Sequence, residues 1–220
     1  MWAAVILSLQ VSAVATICAL PLAIWVAHIL ARNRFWWHGI LNGLVHLPLV
    51  LPPVVTGYLL LVVFGRQGVL GGLMFDIFGI TLAFRWTGAA LAAAIMGFPL
   101  MVRAIRLGIE AVDTGLEDAA RTLGASDIRV FARVTLPMIA PGILAGGILG
   151  FAKALGEFGA TITFVAAIPG QTETIPSAIY AALQVPGQEG KVATLVVISI
   201  ALAMGALIGS EWLARHMVTR

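Results

Sequence analysis

Charged residues and cysteines are scarce in this chain of 220 residues. Asp, Glu, Lys and Arg together make up only 10% of it, whereas soluble domains carry about a quarter. Because so few charges cannot cover a surface that faces water, the composition excludes a soluble globular domain. The single cysteine, Cys18, excludes a disulfide within the chain and a cysteine-based metal cluster.

Patterns for nucleotide binding and catalysis are also missing from the sequence. A phosphate-binding loop needs Gly, four residues and Gly-Lys-Ser/Thr, but Gly190 and Lys191 are followed by Val192. We therefore expect that the chain does not hydrolyse ATP itself. The histidines are scattered without metal-ligand spacing, so we expect no metal site, no cofactor and no catalytic residue. The net charge of +3 does not indicate binding to nucleic acid.

Long apolar runs, by contrast, dominate the chain. Hydrophobic residues make up 60% of it, and the mean hydropathy is +1.03. A spanning helix needs about 20 apolar residues, and the runs are too long and too irregular for strands. We predict an all-α polytopic membrane protein with a single transmembrane domain over residues 1–220. Its five predicted spans lie at about 3–30, 40–64, 86–108, 134–156 and 191–213.

Basic residues are distributed unevenly between the predicted loops. Lys and Arg concentrate in cytoplasmic loops of membrane proteins. One side of the predicted membrane receives Arg32, Arg34, Arg103, Arg106, Arg121, Arg129, Arg133, Arg215 and Arg220. The other side receives Arg66, Arg85 and Lys191. This bias predicts that the N-terminus lies outside and the C-terminus in the cytoplasm.

Prolines and small residues interrupt several predicted spans. In the second span Pro48, Pro52 and Pro53 remove backbone donors, which predicts either a bent helix beside a wet path or a packing kink. Small residues recur every four positions in the fourth and fifth spans, which indicates close helix packing. These residues are Gly142, Gly146, Gly150 and Ala154 in the fourth span, and Ala201, Gly205 and Gly209 in the fifth.

Two external segments are rich in glycine or proline. The glycines Gly65, Gly68, Gly71 and Gly72 predict an external turn. The segment 164–190 contains a possible short helix over residues 175–183, with Pro176 near its first turn. That helix would either close an outer mouth or lie at the membrane interface.

A polar segment at about 109–133 separates the third and fourth spans. Thr114 and Glu117 fit a capping box that would begin a short helix, and Gly124 suits the left-handed residue after a helix end. Ser126 would cap a second short helix at 127–134. The segment therefore predicts two helices joined at an elbow.

The first helix of this elbow is predicted to offer a contact surface. Ala119 and Ala120 present little bulk, so a partner could approach the helix closely. Leu116 and Leu123 would supply apolar contact, and Asp118 would supply a charge at the rim. We interpret the elbow as a knob that fits a groove on another protein, with a solvated loop as the alternative.

Two charged residues lie inside the fourth predicted span. Lys153 and Glu157 are four residues apart and would share one face of a helix. Charged side chains within spans usually face the protein interior and pair with one another. Two interpretations stay open: a salt bridge that braces the span, and a gate at which Lys153 attracts an anion.

Three stretches of the sequence together resemble a known family. Asp118-Ala119-Ala120, then Gly124, then Val134-x-Leu136-Pro137 resembles the EAA loop of bacterial ABC-importer permeases, with Asp and Val where Glu and Ile are usual. The stretches 46–58 and 155–162 are similar to molybdate ABC-transporter permeases. Within the latter, the Gly-Glu-Phe-Gly-Ala segment is shared with sulfate-type oxyanion permeases.

This resemblance implies a type I ABC importer permease fold in the bacterial inner membrane. It implies that a second copy of the chain, two ATPase subunits that bind ATP and Mg²⁺, and a periplasmic oxyanion-binding protein are partners. The cargo would be molybdate or tungstate; sulfate or thiosulfate is the alternative, and a carrier independent of ATP is another. The implied ATPase-coupling residues are Glu117, Asp118, Ala119, Ala120, Leu123, Gly124, Leu136 and Pro137.

An oxyanion cargo also needs particular side chains along its path. A tetrahedral dianion that leaves water needs hydrogen-bond donors to replace its hydration. Thr56, Thr161 and Thr163 lie near the predicted outer ends of spans and are candidate donors. Together with Lys153 and Glu157 they are the predicted path or gate residues.

Overall fold

The computed structural model describes residues 1–32 and 36–218, with side chains except at 207 and 210–218. Regular structure in these ranges is entirely helical. Arg34, Arg220 and the side chain of Arg215, three of the basic groups on the predicted cytoplasmic side, lie outside the described part. The helices are α1 (Trp2–Arg32), α2 (His38–Val50), α3 (Pro53–Phe64), α4 (Val69–Phe78), α5 (Trp86–Glu110), α6 (Thr114–Thr122), α7 (Asp127–Val130), α8 (Leu136–Met138), α9 (Ala140–Leu155), α10 (Gly159–Val165), α11 (Ile175–Leu183) and α12 (Glu189–Val218), and a π-helical turn (Phe131–Thr135) joins α7 to α8.

Three helices in the described residues are long and apolar enough to cross a membrane without interruption: α1, α5 and the part of α12 from Glu189 to Ala206. Two helix pairs pass the same test only when taken together. One pair is α2 with α3, bent by 113°, and the other is the segment from α7 to α8 with α9, bent by 69°. The chain therefore has up to five crossings, of which two are broken.

Prolines cause the break between α2 and α3. Pro52 occupies the position before α3, and Pro53 is its first residue, where a missing N–H leaves no hydrogen bond unmade. Pro48 lies inside α2, a few residues before the start of α3. The bent helix predicted from these prolines is confirmed.

Helix α5 lies at the centre of the bundle, where it packs against α1 and α9. A Cβ atom added at Gly142 of α9 would lie 3.3 Å from the Cα atom of Gly108 on α5. The close packing predicted for the small residues of the fourth span is therefore confirmed. Around Gly205 and Gly209 of α12, no atom outside the local helix lies within 4 Å of an added Cβ, so among the described residues these two glycines contact no other helix.

Helices α3 and α10 cross each other through small residues. A Cβ atom added at Gly57 would lie 2.5 Å from the carbonyl oxygen of Ala160 and 2.8 Å from Cβ of Thr163. A Cβ added at Gly159 would lie 2.6 Å from Cβ of Pro53. The first turns of the two short helices are therefore held in direct contact, which glycine makes sterically possible.

The two external segments differ in how well the sequence predicts them. Gly65 and Gly68 lie in a turn, but Gly71 and Gly72 lie inside α4, so the predicted turn is wrong at these two residues. The apolar run of α4 outweighs the roughly 1 kcal/mol that a glycine costs within a helix. Helix α11 is confirmed, with a capping box between Thr174 and Ser177 at its start.

Candidate functional site

The elbow between α5 and α8 is a polar segment whose residues are mostly exposed. Gly124 has a φ of 86°, so the left-handed conformation predicted after α6 is confirmed. Its N–H group donates to the carbonyl oxygen of Arg121 at 2.9 Å, which closes the end of the helix. Ser126 precedes α7 as predicted, but its side chain makes no capping hydrogen bond. The second helix ends at Val130 because the backbone changes to a π-helical turn there.

The start of α6 differs from the predicted capping box. Asp113, one residue earlier than expected, is the N-cap, and its Oδ1 accepts a hydrogen bond from the Gly115 N–H at 2.8 Å. The capping box of Thr114 and Glu117 is therefore wrong. Because Asp113 satisfies the helix start, the Glu117 carboxylate is free to turn towards the protein interior, where it is only 3% exposed.

Apolar side chains project outward from the elbow. Leu123 is 89% exposed and Ile128 is 82% exposed, and Leu116 is exposed as well. Ala119 is exposed beside them, and Ala120 is partly buried. An exposed apolar patch next to small residues is typical of a protein contact surface.

Charged residues form the rim of this patch. The Arg121 guanidinium group donates to Asp127 Oδ1 at 3.0 Å and to Asp118 Oδ1 at 2.8 Å. These two hydrogen bonds raise the pKa of Arg121 above its usual value, that to Asp127 contributing most. These ion pairs therefore connect α6 to the start of α7, and their three residues help to line a cavity beneath the elbow.

Leu136 and Pro137 mark the return of the chain to the bundle. Leu136 is partly buried against the core residues that include Ile139. Pro137 is exposed and lies in the first turn of α8, where its missing N–H is tolerated. The chain therefore leaves the elbow and re-enters the bundle at this pair.

The predicted ion pair in the fourth span is present, but its geometry differs from the prediction. Lys153 Nζ lies 3.0 Å from Glu157 Oε2. Helix α9 ends at Leu155, so Glu157 lies in the following turn and does not share a helix face with Lys153. Its second oxygen, Oε1, accepts a hydrogen bond from the Ala160 N–H at 2.9 Å. The buried carboxylate therefore joins the end of α9 to the start of α10.

The candidate threonine donors are in different states. Thr161 donates its hydroxyl hydrogen to Phe158 O at 2.9 Å, and Thr163 donates to Gly159 O at 2.9 Å. Both hydroxyl groups are thus engaged with the local backbone. The Oγ1 atom of Thr56 is buried and has no hydrogen-bond partner among the described residues.

The sequence did not predict Arg32 and Thr135, which lie beside the elbow, as site residues. Thr135 donates to Glu117 Oε1 at 2.7 Å, and Arg32 donates to the same oxygen at 3.1 Å. A cavity of about 530 Å³, lined in part by His28 and Phe131, lies next to this cluster. In the sequence Arg32 marks only the end of a span, and no local pattern connects it to Glu117, which lies 85 residues later.

The described helices thus form a bundle of whole and broken apolar spans around α5, with a charged elbow between α5 and α8. Residues 19–219 match the family described as binding-protein-dependent transport system inner membrane component. The chain belongs to this family, and it is therefore a multi-pass inner-membrane permease and not a catalytic enzyme.

Relatives and a solved structure agree with this assignment. The molybdenum transport system permease protein ModB of Escherichia coli K12 is 60% identical over 214 residues, which cover 97% of this chain and 93% of that protein. The ModB protein of Haemophilus influenzae is 53% identical over the same shares. Sulfate permease 2 of Chlamydomonas reinhardtii is 41% identical over 81% of this chain and 48% of that protein.

The fold matches that of the MetNI methionine ABC transporter in an inward-facing conformation. The TM-score is 0.78 at 14% identity, and the match covers 97% of this chain and 94% of that one. At this low identity the similarity concerns the fold alone. The type I ABC importer permease fold implied by the sequence is therefore confirmed.

Proposed function

We propose that this chain forms the translocation path of an ATP-driven importer for molybdate. The observation that carries the proposal is the 60% identity, over 97% of the chain, to a molybdenum transport permease. Tungstate, a tetrahedral dianion of the same shape, would follow the same path. Sulfate is the second candidate, because a sulfate permease is 41% identical over 81% of the chain.

In this proposal the importer contains two copies of the chain and two ATPase subunits. The unpartnered stripe of Gly205 and Gly209 on α12 is consistent with further helix contacts beyond one chain. ATP and Mg²⁺ would bind to the ATPases, and a periplasmic binding protein would deliver the oxyanion. The N-terminus would lie outside and the C-terminus in the cytoplasm, as the distribution of basic residues predicts.

The elbow would be the surface that the ATPase contacts. Exposed Leu123 and Ile128 supply apolar area, and the paired charges of Asp118 and Arg121 supply a polar rim. The small side chains of Ala119 and Ala120 let a groove close around α6. Gly124 sets the angle of the elbow, and Leu136 and Pro137 lead from it into α9.

The break between α9 and α10 would lie beside the path. Among the described residues at this break, Lys153 is the charged residue that is partly exposed. Its ammonium group donates to Glu157 and to no other described side chain. An ammonium group has three N–H donors, so Lys153 can still donate to a passing dianion. Thr56 would donate from its unpaired hydroxyl group, while Thr161 and Thr163 would shape the wall.

Reconstitution of the complete importer tests this function. The permease, its ATPase and its binding protein are placed in proteoliposomes, and uptake of labelled molybdate, tungstate and sulfate is measured with and without ATP. We expect ATP-dependent uptake of molybdate that unlabelled tungstate competes with and sulfate does not. Preferred uptake of sulfate would show that sulfate and not molybdate is the cargo. Uptake by the permease without its ATPase would contradict the ATP-driven mechanism.

A further inference from the structure

A buried carboxylate beneath the elbow connects three separate elements. Glu117 lies on α6, and its Oε1 accepts hydrogen bonds from Thr135 Oγ1 at 2.7 Å and from Arg32 Nη2 at 3.1 Å. Arg32 is the last residue of α1, and Thr135 is the last residue of the π-helical turn that leads to α8 and α9. One carboxylate oxygen thus joins the first spanning helix, the exposed helix of the elbow and the start of another crossing.

Arg32 also holds the backbone on the other side of α6. Its Nη2 donates to the carbonyl oxygen of Val112 at 3.2 Å, in the link between α5 and α6. The guanidinium group therefore contacts both the side chain that α6 turns inward and the chain that leads into α6.

Few other contacts attach α6 to the bundle. The helix packs chiefly against the π-helical turn and α7, and a cavity of about 530 Å³ borders its inner side. The side of α6 that faces away from this cavity carries exposed residues, among them Leu116. Because apolar packing beneath the helix is limited, the bonds of Glu117 are its main attachment to α1.

Burial makes these bonds directional and strong. Glu117 is 3% exposed and Thr135 is 1% exposed. Charge-assisted hydrogen bonds are stronger than neutral ones, and they are stronger still away from water. The π-helical turn, a rare conformation that recurs at functional sites, sets the register at which the Thr135 hydroxyl group meets the carboxylate.

We propose that Glu117, held by Arg32 and Thr135, is a positioning residue that transmits the movement of the elbow to α1 and α9. The proposal rests on the proposed function as an ATP-driven permease. When the ATPases pull on the elbow, the buried carboxylate carries the displacement of α6 to both spanning segments. Without it, the elbow moves while the helices that line the path stay behind.

The test measures how many molybdate ions enter per ATP hydrolysed. The complete importer with its binding protein is reconstituted in proteoliposomes, with labelled molybdate as the probe. Glu117→Gln keeps the size of the side chain and removes its charge. We expect the number of molybdate ions moved per ATP to fall clearly below that of the wild type, because the neutral amide accepts hydrogen bonds more weakly than the carboxylate and no longer pairs with the charge of Arg32. The ATPase should still co-purify with the variant, because the exposed patch of the elbow is unchanged.

Glu110→Gln is the matched control. Glu110 lies at the end of α5 and forms an exposed ion pair with Arg106 at 2.7 Å, so its removal should leave the ratio unchanged. Thr135→Val removes one bond to Glu117 but keeps the ion pair, and it should give an intermediate ratio. Arg32→Met should lower the number of molybdate ions moved per ATP as much as Glu117→Gln does. Arg32→Lys keeps the positive charge and should retain most of the wild-type value.

The number of molybdate ions moved per ATP distinguishes a role of Glu117 in transmitting movement from a merely structural role. A structural role would lower the yield of folded complex and leave the ions moved per ATP unchanged. A wild-type ratio in Glu117→Gln overturns the proposal. If that variant does not assemble, wild-type ratios in Thr135→Val and Arg32→Met overturn it. Absence of ATP-dependent molybdate uptake in the wild-type complex would instead contradict the proposed function.

Discussion

Glu117 and Glu157 are both buried carboxylates that pair with a cation, but their partners lie at different distances along the chain. The side chains that bind Glu117 come from positions 85 and 18 residues away. Glu157 is bound by a side chain four residues earlier and by a backbone N–H three residues later. The first carboxylate joins separate helices, whereas the second holds one local break.

This difference assigns different mechanical roles to the two regions. The elbow with Glu117 is exposed on its outer side and borders a cavity on its inner side, so it is suited to movement. The break at Glu157 is fixed by small residues: Gly159 meets Pro53, and Gly57 meets Ala160. Packed interiors resist deformation, so the break is suited to stay rigid while the elbow moves.

The largest effect is expected where the elbow turns. In Gly124→Pro, proline fixes φ near −65°, whereas Gly124 needs a φ of 86° and donates its N–H to Arg121 O. The turn therefore cannot form, and the exposed patch no longer faces the ATPase. We expect loss of co-purification with the ATPase and of transport-linked ATP hydrolysis, both measured on the purified complex.

Gly124→Asn is the control for this prediction. No described atom lies within 4 Å of a Cβ added at Gly124, so a side chain fits and only the backbone conformation matters. Asparagine visits the left-handed region more readily than most residues, so coupling should be largely kept. Normal coupling in the proline variant would contradict a moving elbow and remove the contrast with the rigid break.

A smaller effect is expected at the break. Lys153→Met leaves the Glu157 carboxylate buried without its cation, and loss of one partner of a buried pair costs about 3 kcal/mol. Because Lys153 is 31% exposed, solvent reduces this cost. We expect a lower unfolding temperature of the purified permease, measured in detergent.

The double variant Lys153→Met with Glu157→Gln tests whether the two residues stabilise the break as an ion pair or act independently. Removing both charges leaves no buried ion, so the double variant should be more stable than Lys153→Met alone. A double variant that is destabilised by the sum of the single effects would show that the two residues do not depend on each other. The break would then need another source of rigidity.

Local patterns predict the local features of both regions. The left-handed Gly124, the helix at Ile175–Leu183 and the pairing of Lys153 with Glu157 each depend on residues within about one or two turns of each other. The sequence also predicts the proline break, because proline acts through its own backbone. These features needed no knowledge of how the helices pack.

The features that were missed depend on competition or on distance. Asp113 competes with Thr114 for the start of α6; the capping-box spacing to Glu117 favours Thr114, but aspartate is the stronger N-cap and takes the position. Once Asp113 caps the helix, Glu117 takes partners on α1 and on the π-helical turn that only tertiary packing brings near. The roles of the predicted coupling and path residues stay predictions.

The smallest effect is expected at Thr56 of α3, the helix that crosses α10 beside the break. This prediction tests whether the rigid region also lines the path of the oxyanion. A buried hydroxyl group without a partner is unfavourable, so Thr56→Val should not lower the unfolding temperature if Thr56 only packs. If it donates to the oxyanion, KM for molybdate uptake should rise about fivefold, the loss of one hydrogen bond. Thr16→Val is the control, because Thr16 donates to Ser12 O within α1. An unchanged KM in Thr56→Val would leave the break as a brace alone.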